Sequence, residues 1–397
     1  MRTLSDMSGE TSEQQSAARS SATELLIVGA SLAGLTLALA CAARGIPVRV
    51  VERAHARVRG GDGLKIQPES LARTVGFDLA AEPSLPTSPA IDGAHDLDLP
   101  QLVSWSALYE WLRDHALRSP AITLTEGRNV TSVVDTGVGV RVTYDDGEQE
   151  TVGAVVGADG YRSTVRAAVN PQEPFATYSG YITWRGLVDE STLSQPVDWP
   201  SSGGLWIVFS RGYRLIGAVN PGPDGSLEPG RRYINFAWFD AHRADLLRRT
   251  GSLTDDGAVV GTLNHRNISD EVRRDLLDLV PQVWPSPWAE AVATGVADPA
   301  VLSGSPISEY LPERMARGSI AIIGDAAHSV SPMTGGGYAS AMDDGAVLAS
   351  LLQQRDGESP AEVFAHFEAL RLPRIRALVT WSKQASAQYS MLAHQQR

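Results

Sequence analysis

Gly29-Ala30-Ser31-Leu32-Ala33-Gly34 is the stretch on which the fold turns. Ahead of it, Glu24–Val28 reads as a short apolar strand. Behind it, an apolar helical pattern runs to about Arg44, where Gly45 stops it. Val48-Arg49-Val50-Val51 is a second strand that closes on Glu52. Strand, glycine turn, helix and strand make a βαβ unit. Gly29 forms the tight turn and Gly34 lets the helix pack closely on the sheet. Between them the helix start presents the N–H groups around Leu32 and Ala33, with a partial positive charge, to a pyrophosphate. Glu52 is placed to accept hydrogen bonds from a ribose diol. Ser31 stands where the dinucleotide fingerprint has its second glycine; it is small, and its hydroxyl can donate. On this stretch alone, the turn of an ordinary α/β protein is the competing reading.

Two later stretches repeat the pattern of a buried strand ending in a turn. Val155-Val156-Gly157-Ala158-Asp159-Gly160 is followed by Ser163 and Arg166; Asp159 either serves the cofactor site or caps the next helix. Ile320–Ile323 runs into Gly324-Asp325-Ala326-Ala327-His328-Ser329-Val330-Ser331-Pro332, then Thr334 and Gly335-Gly336-Gly337. A carboxylate after a buried strand, here Asp325 after Gly324, can hold polyol hydroxyls. Three glycines let backbone approach a planar ring, and the following helix turns its positive end toward that ring.

Composition bounds the rest. The 397 residues carry a formal net charge of −12, which speaks against nucleic acid and an anionic membrane as partners. The single cysteine, Cys41, lies in the apolar helical pattern and reads as a buried small hydrophobe. No apolar run is long enough to span a bilayer, and the cytoplasm is the expected location. Residues 1–22 are polar and Ser-rich and are expected to form a disordered tail. Tryptophan and tyrosine become frequent from about residue 174, with strands at Tyr178–Val188, Leu205–Ser210, Arg214–Val219 and Tyr233–Phe239. The predicted fold is therefore α/β. A Rossmann-like nucleotide-binding domain takes residues 23–173 and 305–358, a mixed β-sheet substrate lobe is inserted at 174–304, and helices follow at 359–397, interrupted near Pro373.

The order GxSxAG…E, GADGxxSxVR and GDAAHSxxP…GGG resembles the single-component FAD-dependent aromatic hydroxylases, the group of para-hydroxybenzoate hydroxylase and salicylate hydroxylase. The resemblance spans about Leu25–Leu352. Tyr178–Val188, Gly230–Phe239 and Ser104–Tyr109 are similar to the 2,6-dihydroxypyridine hydroxylase branch. The wider family has an arginine near Ser104 and an asparagine where Ala339 stands.

The resemblance implies FAD, with NADH or NADPH as a transient co-substrate. It implies hydroxylation of an electron-rich phenol or N-heteroaromatic ring with O2 through a flavin C4a-hydroperoxide. It also allows a homodimer. Carried onto this chain, the cofactor residues are Gly29, Ser31, Leu32, Ala33, Gly34, Glu52, Arg53, Arg59, Val130, Asp159, Gly324, Asp325, Pro332, Gly335, Gly336 and Gly337. The loop Arg57–Gly63 is the matching flavin clasp or, equally, a solvated basic loop. Trp184, Trp238, Met333 and Tyr338 are the candidate substrate-pocket residues; the two tryptophans also read as sheet core. His328 reads as a structural hydrogen-bonding residue, and no catalytic base is evident. A flavin halogenase is disfavoured because its Trp-x-Trp-x-Ile-Pro stretch is absent. A non-oxygenating or non-catalytic flavoprotein is the remaining alternative.

Overall fold

The computed structural model describes residues 24–55, 63–78, 101–199, 205–222 and 225–396. The expected tail at 1–22 lies outside the described residues, as do Arg57 and Arg59. β1 (Leu25–Val28), α1 (Leu32–Ala42) and β2 (Val48–Glu52) form the opening βαβ unit. β1 and β2 pair in parallel, Leu25 opposite Val48. α1 is buried on almost every side, which is why its sequence is apolar all round rather than striped. Cys41 is fully buried in it, and burial pushes its thiol up to about 12, with Arg44 opposing; such a thiol is inert.

β3 (Gly63–Ile66) and β4 (Gln101–Ser104) form an antiparallel ribbon flanked by α2 (Pro68–Val75). Ser104 caps α3 (Trp105–Arg118), its hydroxyl accepting from the Ala107 amide. β5 (Ile122–Glu126) joins β2 in parallel. β6 (Val130–Asp135), β7 (Val140–Tyr144) and β8 (Gln149–Val152) make a separate antiparallel sheet. β9 (Ala154–Gly157) then returns to the free side of β1, and α4 (Arg166–Val169) follows.

The second lobe holds β10 (Thr177–Asp189), β11 (Trp206–Ser210), β12 (Tyr213–Asn220), β13 (Tyr233–Asp240), the helices α5 (Ala244–Arg249), α6 (Asp270–Val283) and α7 (Trp288–Ala297), and β14 (Ser303–Glu309). Its sheet order is β11-β12-β13-β10-β14. Every pairing is antiparallel rather than mixed. β14 lies beside β10, so the lobe sheet runs to Glu309, past the boundary expected at 304.

β15 (Ala316–Arg317) and β16 (Ile320–Ile322) bring the chain back to the main sheet, whose order is β15-β16-β9-β1-β2-β5. α8 (Asp325–His328), α9 (Gly337–Gln354) and α10 (Pro360–Gln395) complete the chain. α10 is one continuous helix of 36 residues, with Pro373 inside it. Packing against β10, β14, β15 and α9 holds it together where local propensity predicts a break. Among the described residues no helix is long and apolar enough to cross a membrane.

The lobe sheet has two unlike faces. Ile182, Trp184, Leu215, Phe236 and Trp238 point into an apolar core shared with Trp284 and Trp288. Two glycines make room there. A Cβ on Gly217 would lie 2.6 Å from the Trp288 ring, and one on Gly304 would lie 2.7 Å from Trp184. The alternate residues Thr183, Arg185, Arg214, Ile216, Asn235, Ala237 and Phe239 face the other way, onto a cleft.

Candidate active site

The cleft, about 510 Å³, lies between the nucleotide-binding half and the lobe sheet. Ser31, Leu32 and Ala33 line one end of it. Ser31 is the N-cap of α1, but its hydroxyl makes no cap bond. The first N–H groups of α1 therefore have no partner from the cap side chain, and the positive end of an 11-residue helix is directed there. Gly29 has φ +102, and a Cβ on it would lie 2.5 Å from the Ala158 carbonyl oxygen. Gly34 is tighter still: its Cβ would lie 1.9 Å from the Gly29 oxygen. Only glycine lets the first and second segments touch in this way.

Glu52 is fixed by two amides, Ala30 N–H at 2.8 Å and Ala54 N–H at 2.9 Å. Each carboxylate oxygen keeps a lone pair for a diol. Arg53 is exposed beside it. Val130 is buried in the core and does not line the cleft, although the Arg128 amide nearby donates to the Glu52 carbonyl at 2.9 Å.

Asp159 faces its own turn instead of the cleft. It accepts from the Ser163 hydroxyl and from the Thr164 and Val165 amides, at 2.7 and 3.2 Å. It pins the turn that leads into α4, whose own N-cap is Val165, and its neighbours Ala158 and Gly160 line the cleft in its place. Burial pushes its carboxyl up, against those hydrogen bonds.

Arg166, quoted in the second segment but given no role, turns out to tie it to the third. The side chain is fully buried. Its Nε donates to the Ala326 carbonyl at 2.7 Å and its Nη2 to the Asp325 carbonyl at 2.8 Å. Nη1 donates to Tyr161 at 2.8 Å, and the guanidinium lies over the Tyr310 ring at 4.1 Å. Burial lowers its pKa to about 10.

Gly324 sits at φ +56, and a Cβ there would lie 2.8 Å from that of Ala33. The Asp325 carboxyl opens onto the cleft although protein surrounds it. That confinement raises its pKa, with His328 and Arg166 opposing. Pro332, Gly335 and Gly337 line the cleft, whereas Gly336 lies against Leu378. A Cβ on Gly335 or Gly160 would meet nothing within 4 Å, so both leave bare backbone toward the cleft.

His328 does not reach the cleft. Its Nε2 lies 2.6 Å from Asp344 Oδ2. Asp344 Oδ2 also accepts from the Gly324 amide at 3.0 Å, and Oδ1 accepts from Arg371 Nε at 2.8 Å. This buried cluster joins the third segment, α9 and α10.

Of the candidate pocket residues, Met333 and Tyr338 line the cleft; the Tyr338 hydroxyl is 3.0 Å from that of Thr36. Trp184 and Trp238 do not. Both are fully buried on the opposite face of the lobe sheet, directly paired across β10 and β13. Strand alternation separates Trp184 from Thr183 and Arg185 correctly. Which face meets the helices α6 and α7 is a tertiary matter, and it places the tryptophans in the core. The cleft face carries polar groups instead. Thr183 Oγ1 and Arg214 Nε are buried there without a hydrogen-bond partner among the described residues. Arg214 lies under the Phe239 and Phe209 rings, at 5.3 and 5.9 Å. The alternation of β12 and β13 was the signal that could have found Arg214 and Asn235.

The residues fit FAD. A helix start and a fixed carboxylate, Glu52, suit the diphosphate and ribose. Asp325 suits a polyol, and the bare backbone at Gly160 and Gly335 leaves room for a flat ring. Replacing Asp325 with alanine is expected to weaken FAD binding at least about tenfold, the loss of a charged hydrogen bond or more. The fold should survive, because the structural bonds at this residue use its carbonyl. Flavin titration beside thermal melting checks this; wild-type flavin affinity would show the carboxylate to be misassigned.

Two family models match the chain: "FAD binding domain-like" over residues 178–302 and "FAD binding domain" over 287–382. The 3-amino-4-hydroxybenzoate 2-monooxygenase of Streptomyces cremeus is 27% identical over 376 residues, 88% of this chain and 83% of that protein. The 2,6-dihydroxypyridine 3-monooxygenase of Paenarthrobacter nicotinovorans is 27% identical over 362 residues, 82% of each. The solved structure of 2,6-dihydroxypyridine-3-hydroxylase from Arthrobacter nicotinovorans superposes with a TM-score of 0.71 at 22% identity, covering 93% of both chains. With the three segments brought together at one cleft, these likenesses support the resemblance read from the sequence, to the single-component FAD-dependent aromatic hydroxylases.

Proposed function

We propose that this protein is an FAD-dependent monooxygenase. It uses NADH or NADPH and O2 to hydroxylate an electron-rich aromatic or N-heteroaromatic ring that already carries a hydroxyl. The observation that carries this reading is the cleft between two unlike walls. One wall is glycine backbone and a helix start; the other is a sheet face with buried, unpartnered polar atoms. When bound, FAD accepts the hydride and activates oxygen.

The protein's own contribution is orientation and desolvation. Ile216, Ala237, Met333 and Phe239 make an apolar surround. In it Arg214, Thr183 and Asn235 provide the polar contacts. Burial lowers the pKa of Arg214, so its charge is stabilised when an anionic ring oxygen arrives. A ring with two or more oxygen substituents answers this set best, and a dihydroxypyridine is the preferred class within the proposal. The cofactor positions named from the sequence, Asp159 and Val130 excepted as direct contacts, are part of the same reading. So are a cytoplasmic location, where reduced nicotinamide is supplied, and a homodimer, to be read by light scattering.

The test is to reconstitute the protein with FAD and follow NADH and NADPH oxidation with dihydroxypyridines and aminohydroxybenzoates, weighing the products by mass spectrometry. Substrate-stimulated oxidation with one added oxygen is expected. Stimulated oxidation that yields only hydrogen peroxide with every ring would remove the hydroxylase reading. Arg214→Met should raise KM for rings with an anionic oxygen by about tenfold, the value of a charged hydrogen bond. Its effect on neutral rings should be small, and equal losses for both would show that Arg214 does not read charge.

A further inference from the structure

The outer strand of the lobe sheet is apolar on both faces, and one of those faces is uncovered. β11 lies at the edge of its sheet. Trp206 and Val208 pack against the tryptophan core, Trp206 stacking on Trp288 at 5.4 Å. The alternate residues Leu205, Ile207 and Phe209 point the other way and are 36%, 44% and 62% exposed. An antiparallel strand with solvent on one side normally alternates apolar with polar side chains, and edge strands avoid exposed apolar rows. Here three successive outward positions break that rule. A contiguous exposed apolar strip marks a surface that something else covers.

The position of the strip says what covers it. Leu205 and Ile207 line the cleft. Phe209 stands directly opposite Arg214 in the register of β11 with β12, and Ile207 opposite Ile216. Directly opposed side chains are ~4.5–5.5 Å apart at Cβ, so a ring held by Arg214 lies beside the end of the strip. From Phe209 to Leu205 the strip runs four residues away from Arg214, about 13 Å at ~3.3 Å per residue. The floor along this path is low, because Ala218 and Ala237 line it with no more than a methyl group each. Three side chains by themselves fall short of the ~800 Å² per partner of a stable protein interface, which favours a small molecule over a second copy of the chain.

We propose that Leu205, Ile207 and Phe209 form an extended substrate subsite, and that the ring hydroxylated here carries an apolar substituent that lies along β11. The inference rests on the hydroxylase reading above and narrows its substrate class. An oxygenated ring alone occupies the Arg214 end and leaves the strip bare. An alkyl chain or second aryl group on that ring covers the strip as well. Burial of apolar area is non-directional, so the subsite selects for the length and apolarity of the substituent and not for a functional group upon it. A covered strip also helps to exclude water from the ring beside it. Polar recognition of the ring and apolar recognition of its substituent are thus divided between neighbouring strands, Arg214 on β12 and the strip on β11.

The test is a chain-length series on the FAD-loaded protein: resorcinol and its 5-methyl, 5-propyl and 5-pentyl derivatives. Binding is read from the perturbed flavin absorbance and turnover from NADH or NADPH oxidation with product mass. Dissociation constants should fall about two- to fourfold per added methylene, the upper value being the equivalent of ~0.8 kcal/mol for a fully buried CH2. In the double variant Leu205→Thr, Ile207→Thr this dependence should collapse, the constants for resorcinol and 5-pentylresorcinol converging. Threonine suits a strand and both positions are exposed, so the fold should persist. Melting curves check this, and Ile207→Thr alone serves should the double variant fail to fold. A wild type that binds every member equally, or a double variant that keeps the wild-type slope, overturns the subsite. A flat wild-type series beside a smaller mass of the double variant in light scattering overturns it too, and assigns the strip to a second copy. Binding of no resorcinol at all sinks the hydroxylase reading and this extension with it. A chain-length slope without oxygenated product supports the subsite and removes only the hydroxylase reading.

Discussion

Replacing Arg166 with methionine is expected to abolish FAD retention and to cost about 3–5 kcal/mol of stability, the sum of a few buried carbonyls left unsatisfied at ~1–3 kcal/mol each. The reason lies in what the guanidinium holds. Its donors end on the carbonyls of Tyr161, Asp325 and Ala326, with a longer contact to Pro174 at 3.3 Å. One planar, rigid group thus sets the distance between the second and third cofactor segments. Methionine fills the volume and supplies no donor. Arg166→Lys should rescue little, because an ammonium has three donors on a flexible stem where the fork geometry is needed. Urea unfolding of the flavin-free protein gives the stability change, and the visible spectrum after purification gives the flavin content. A methionine variant that purifies with a full complement of flavin would show the two segments to be held apart by other means.

The second large effect is expected at Arg371. Arg371→Met leaves the Asp344 carboxylate buried with His328 and the Gly324 amide as its remaining partners. Removing one partner of a buried charge cluster costs about 3–5 kcal/mol. The consequence for pH follows from the sign of the Asp344 shift. Burial pushes this carboxyl up, but His328, Arg371 and the Gly324 amide outweigh it, and the net pKa is lowered. A carboxyl depressed in the folded state stabilises the fold above its ordinary value, and that stabilisation is lost as pH falls through the folded value, below about pH 4. Without Arg371 the depression shrinks. The acid-unfolding midpoint, followed by tryptophan fluorescence, should then move to higher pH than in wild type. An unchanged midpoint would mean that His328 and the Gly324 amide sustain the carboxylate without Arg371.

The legible part of this protein was what backbone geometry and steric contact dictate over short spans. The GxSxAG turn, the strand before it and Glu52 after it announce a nucleotide fold, because a glycine turn, a helix start and a strand-end acid each act within a few residues. The Gly324-Asp325 and Gly335–Gly337 segments likewise carry their meaning locally. Alternation in β10 separated Thr183 and Arg185 from Trp184 for the same reason: successive side chains on a strand must point to opposite faces.

What the sequence by itself determined is therefore the order of the elements, the FAD segments and which residues share a face. Only the tertiary structure decided which face looks where. The helices α6 and α7 cover the tryptophan face, so Trp184 and Trp238 became core and the cleft fell to Arg214, Thr183 and Asn235. It also decided the long-range partners. Asp159 turned inward onto its own turn, which offered three donors. Arg166 reached Asp325 and Ala326, 159 and 160 residues away. The hydrogen bonds that link Ser331, Tyr181, Ser386 and Glu309 draw on β10, β14, α10 and the loop after α8. No local pattern encodes such contacts, since each depends on where separately folded elements come to rest.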